Sequence, residues 1–134
     1  FANNSSSLEP RISLEYKPQS NQRLSLAYGL YGRALPLMAY YFTDTTGAYL
    51  NKNLKLLKAQ HTILAYHFYT QNKMRIILEA YWQHLYNVPI RPEARFTYWM
   101  LNESDEFPQF KTVSQGKGNN YGVDAAIEKL FSNS

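Results

Sequence analysis

Arg11-Ile-Ser-Leu-Glu-Tyr-Lys17 and Arg23-Leu-Ser-Leu-Ala-Tyr-Gly-Leu30 decide the fold. Apolar side chains take every second place, and small or polar ones take the rest. A strand sends successive side chains to opposite faces, so each segment has one apolar and one polar face. Between them lies Pro18-Gln-Ser-Asn-Gln22, a run of turn formers. The reading is two strands, about 9–17 and 23–33, folded back on each other. Centring the pair on Ser20 sets Tyr16 opposite Leu24, Leu14 opposite Leu26 and Ile12 opposite Tyr28. A one-residue slip would mix the faces, which fixes the register.

The same unit recurs downstream. Strands are expected at about 57–70 and 74–88 around the turn Gln71-Asn72-Lys73. Centring on Asn72 pairs Phe68 with Ile76, Tyr66 with Leu78, Leu64 with Ala80 and Thr62 with Trp82. Residues 54–69 could also be drawn as a helix, but they are β-rich beyond Thr62 and their partner alternates well. Pro89 is expected to end the fourth strand, since it cannot donate to a ladder. Gly116-Lys-Gly118 is read as leading into a fifth strand at about 119–131. Residues 34–56 and 89–118 are two long connections of the kind found as extracellular loops. Short turns at one end and long connections at the other, over half-apolar strands, are the signature of a transmembrane β-barrel. The predicted class is all-β: about five antiparallel up-and-down strands from such a barrel, with 1–134 as a single segment.

Composition is consistent with this. No run of about 20 apolar residues exists, so no transmembrane helix is expected. The chain has 12 Tyr, 7 Phe and 2 Trp, types that strands and membrane interfaces favour. Tyr16 and Phe68 fall beside the short turns, and Tyr28, Trp82 and Tyr86 toward the other end of the same face, like two aromatic girdles. A net charge of +4 with scattered basic residues argues against a nucleic-acid partner. Cysteine is absent, which excludes a disulfide scaffold and thiolate metal sites. Residues 1–8 read as the tail of a loop and 131–134 as a strand entering a turn, so the chain reads as an internal fragment.

Catalytic and metal chemistry find no support. His61 and His67 share a face but lie about 20 Å apart along one strand, and His84 faces the other way, so no metal or other cofactor is expected. Asp124 and Glu128 share a face at a spacing too long for concerted acid–base work. Gly116-Lys-Gly lacks the glycine spacing and following helix of a phosphate loop. The expectation is a protein that is not an enzyme. His61, His67, Glu79, Gln83, Asp124 and Glu128 are read as polar residues facing a lumen, with Glu79 and His67 diagonal neighbours. Tyr40, Tyr41, Tyr49, Arg91, Arg95, Tyr98 and Trp99, in the long connections, are the candidates for ligand contact. The alternative is that these loops simply pack on one another.

Five blocks in order carry a family resemblance: Leu8-Glu-Pro-Arg-Ile-Ser-Leu14; Leu24-Ser-Leu-Ala-Tyr-Gly-Leu30; Asn53-Leu-Lys-Leu-Leu-Lys58 with His61 downstream; Glu79-Ala-Tyr-Trp-Gln-His-Leu-Tyr-Asn-Val-Pro89; and Gly116-Lys-Gly-Asn-Asn-Tyr-Gly-Val-Asp124 with Glu128-Lys129. Together they resemble the barrel of a TonB-dependent outer-membrane receptor of the Bacteroidota type. The resemblance implies a Gram-negative outer-membrane location, lipid around the wall, and import of a small nutrient: an iron chelate, vitamin, glycan or peptide. It also implies energy coupling through TonB, by a plug and coupling box that lie outside this segment. The competing reading is a soluble β-sandwich binding module, for instance for carbohydrate. An excised segment is expected to self-associate.

Overall fold

The computed structural model describes residues 6–92 and 110–129. Five strands form one open antiparallel sheet in the order β1-β2-β3-β4-β5: β1 Arg11–Tyr16, β2 Gln22–Arg33, β3 Leu57–Tyr69, β4 Met74–Ile90 and β5 Val113–Lys129. A single helical turn, α1 Leu37–Tyr40, lies between β2 and β3. The chain divides into two compact units that share the strands. One holds both long connections, with residues 31–59 and 84–118, and the other holds both turns, with residues 10–30 and 60–83.

The alternation at the start of the chain sets the first hairpin as read. Tyr16 pairs with Leu24, Leu14 with Leu26 and Ile12 with Tyr28. The second hairpin closes with Thr70 N donating to Met74 O at 2.9 Å, which centres the turn on Asn72. Lys73 takes φ 56° there. A left-handed last residue is how a three-residue hairpin loop closes with its bulge. Residues 57–69 are strand throughout, not helix.

Two boundaries differ from expectation. β4 runs through Pro89 to Ile90, and β5 begins at Val113, so Gly116-Lys-Gly118 lies within a strand. The Asn72 centre sets Leu57, the first residue of β3, opposite Asn87. Beyond that point one side of β4 has no ladder partner, and a proline there is tolerated as on an edge. Asn87 takes φ 57°, and its Nδ2 donates to Leu56 O at 3.3 Å. Asn is among the few residues that adopt this conformation readily. The kink interrupts the two-residue period, so Val88 and Pro89 are buried in succession. Across the pair, Val113, Gln115 and Lys117 alternate with Ser114, Gly116 and Gly118. Those glycines are strand members, not turn residues.

Along β2 burial is inverted relative to a sheet folded in water, while β1 is exposed on both faces. In β2 the apolar positions Leu24, Leu26 and Tyr28 are exposed, while Ser25, Ala27 and Gly29 between them are half-buried or buried. The same face carries Ile12, Leu14, Leu64, Leu78, Trp82 and, on β5, Tyr121, Val123 and Ile127, all exposed; Leu14 stands 62% open and Val123 75%. Burial concentrates in the unit with the long connections, where Leu35, Ala39, Tyr40 and Leu54 form a small core. In the unit with the turns, Ala65 is the one buried apolar residue among those described. No described helix is long and apolar enough to cross a membrane.

Candidate functional site

The sheet's second face is polar and internally bonded. Along β1 and β2, Glu15 sits 3.0 Å from Lys17 and 3.5 Å from Arg23. Across β4 and β5, Arg75 grips Glu128 through two nitrogens at 3.1 and 3.2 Å. Such fork-like pairing fixes geometry as well as charge. Nearer the middle, the Gln83 side-chain amide contacts the His61 ring, and Asn120 Nδ2 donates to Gln83 Oε1 at 2.9 Å. His61 and Gln83 are directly opposed in the Asn72-centred register, so this row spans three strands. Its physical basis is the even spacing of polar residues on each strand.

Other sequence-derived positions on this face stand differently. His67 keeps Nδ1 buried without a hydrogen-bond partner among the described residues, and no hydrogen bond joins it to Glu79. Glu79 lies with His61, Tyr81 and Gln83 around a shallow recess. Asp124 is exposed, four residues before Glu128. His84 stacks on Tyr86 with ring centres 6.0 Å apart. No group of three potential metal ligands occurs among the described residues.

A feature that sequence reading missed is the approach of Tyr81 to Gly122. A Cβ built on Gly122 would meet Tyr81 Oη at 2.6 Å and ring carbons at 2.7 Å. The ring lies over the bare backbone, which only glycine leaves open. The signal would be a glycine opposite an aromatic, but the β4–β5 register follows a long connection and cannot be counted from the sequence.

In the connections, Tyr40 is buried in the small core, where its hydroxyl accepts a hydrogen bond from Leu35 N at 3.4 Å. Tyr41 and Tyr49 are half-exposed and meet edge to face at 5.6 Å. They flank a tight loop ordered by Asp44, whose Oδ1 accepts from Thr46 N, Thr46 Oγ1 and Ala48 N at 2.8, 2.6 and 3.0 Å. These donors, the Thr46 hydroxyl first, hold the Asp44 carboxyl below its usual range. Gly47 supplies φ +80° at the tip. Arg91 lies over the Phe110 ring at 4.9 Å. Arg95, Tyr98 and Trp99 lie outside the described residues.

The two connections meet through Asn51, which is 1% exposed. Its Nδ2 donates to Phe110 O at 3.1 Å and its Oδ1 accepts from Thr112 N at 2.9 Å. One side chain thus copies a ladder pair across 59 and 61 residues of sequence. Lys55 N donates to Ser114 Oγ at 3.0 Å alongside. Beside these bonds opens a cleft of about 310 Å³. Comparison with protein-family models, with curated proteins and with solved structures finds no match.

Proposed function

We propose that this chain is a wall segment of an outer-membrane β-barrel of the TonB-dependent receptor type, in a Gram-negative cell. The observation that carries this reading is the one-sided exposure of large apolar side chains opposite a bonded polar face. Leaving such a side chain in water forgoes roughly 1.5–3 kcal/mol relative to burial. Surrounding lipid removes that deficit, and the polar face then lines the lumen. A soluble sandwich needs a second sheet over the apolar face, and the described residues form one sheet. Edges β1 and β5 pair with neighbouring wall strands of the parent. The ordered sequence blocks support the receptor type; nutrient import and coupling to TonB rest on that resemblance. The polar row holds structure and performs no reaction in this reading.

The test is accessibility on intact cells carrying the parent protein. Cysteine placed at Ala48, in a long connection, is expected to react with a membrane-impermeant maleimide. Cysteine at Ser20, in a short turn, is expected to react only after the outer membrane is opened. Labelling at Ser20 alone would reverse the orientation. A parent protein that fractionates away from the outer membrane would overturn the reading.

A further inference from the structure

The exposed apolar side chains of the sheet stop along one line, and the strand registers show it. Ile12 pairs with Tyr28. Tyr69 N donates to Asn21 O at 2.9 Å, which in an antiparallel pair sets Tyr28 opposite Thr62. The Asn72-centred hairpin sets Thr62 opposite Trp82. Across β4 and β5, the Arg75–Glu128, Gln83–Asn120 and Tyr81–Gly122 contacts share a single register, which sets Trp82 opposite Tyr121. These five residues form one row across all five strands. In the next row Gln60 and Asn119 are polar and Leu30 is half-buried, and on β4 the next outward residue is His84. Every exposed large apolar residue of the strands lies within 10–30, 60–83 or 119–129. Strand residues 31–33, 57–59, 84–90 and 113–118 contribute none, and Leu85 and Val88 among them are buried. At the other end of β5, Lys129 closes the outward face after Ile127. Nine residues, 120–128, separate Asn119 from Lys129. That is the short end of the about 9–11 that cross a bilayer as a tilted strand.

We propose that the bilayer ends at the row from Ile12 to Tyr121. Hydrocarbon covers the outward face from that row to Ile127, and the ends of β4 and β5 at 84–90 and 113–118 stand as strand in water. The proposal rests on the barrel-wall reading and adds the depth to which the wall is immersed. Tyr28, Trp82 and Tyr121 then lie at headgroup level, where amphipathic rings concentrate. Tyr86, which the sequence pattern places in the same girdle, falls beyond it. The burial of strand residues follows the same limit: apolar side chains are open where lipid would cover them and buried where water would meet them.

The experiment is a nitroxide scan of the full-length protein in lipid vesicles, with single cysteines on β5 in place of Lys117, Asn119, Tyr121, Val123, Ala125 and Ile127. Power saturation compares collision with oxygen, which partitions into hydrocarbon, and with a water-soluble nickel chelate. Oxygen should dominate from Tyr121 to Ile127 and nickel at Lys117, with the crossover between Asn119 and Tyr121. Asn120→Cys and Asp124→Cys, on the polar face, should favour nickel. A second scan on β4, at Leu78, Ala80, Trp82, His84 and Tyr86, should cross between Trp82 and His84, so the limit does not depend on how one strand tolerates cysteine. A crossover displaced by a full row or more on either strand would overturn the limit and leave the wall reading standing. Nickel dominating at every position would overturn both.

Discussion

Asn51 shows how one side chain can join two distant segments. Its amide supplies a donor and an acceptor in the geometry of a peptide group, and both Asn51 and Thr112 are buried, so Thr112 N has no water as a substitute. Asn51→Leu keeps the branched heavy-atom skeleton in a somewhat larger side chain and removes the bonds to Phe110 O and Thr112 N. Each buried unsatisfied group costs about 1–3 kcal/mol, so the loss should be about 2–4 kcal/mol. Denaturant unfolding of the chain in detergent measures it. A change under about 0.5 kcal/mol, the level of an ordinary surface substitution, would show that the connections are held together by other contacts. Gly122 is the counterpart on the sheet: its value lies in what it lacks, since the Tyr81 ring occupies the space of a side chain.

At the level of the strand, neighbouring residues should behave oppositely. Leu14 and Ser13 are adjacent on β1, both exposed, and point to opposite faces. Leu14→Lys places a charge on the apolar face, which in a barrel wall costs about 2–4 kcal/mol near the bilayer midplane. Ser13→Lys should cost under about 0.5 kcal/mol. On the barrel-wall proposal, unfolding of the protein in lipid vesicles reads both, and equal effects would mean that lipid does not contact Leu14. This asymmetry was legible from sequence because alternation and a polar turn fix the first hairpin completely. The second hairpin was legible for the same reason. The end of β4 was not, because Asn87 in the left-handed region breaks the period on which the reading depends. Nor was the start of β5, where glycines that signal a turn instead serve as small strand positions. The polar row was legible in membership, since His61 and Gln83 share a face. Its bonding to Asn120, and the cleft at Asn51, depend on registers set across long connections, which no local pattern records.

For the whole molecule, the decisive fact is that the sheet is open. Closing a barrel requires strand number, tilt and shear to agree; transmembrane barrels have eight strands or more, and the five described here form an open sheet. β1 and β5 are edges, each presenting unpaired backbone donors and acceptors, a template for pairing with another chain. One face also leaves Leu14, Leu26, Leu64, Leu78, Trp82 and Val123 open. A contiguous apolar surface of this kind drives association in water. The 134-residue chain by itself should therefore form oligomers at micromolar concentration in detergent-free buffer. Detergent above its critical micelle concentration should cover the face and reduce the assemblies, leaving only pairing through the edges. Sedimentation velocity with and without detergent separates the two contributions. If the chain sediments as a stable folded monomer without detergent, these strands have another means of covering the apolar face, and the barrel-wall reading fails with it.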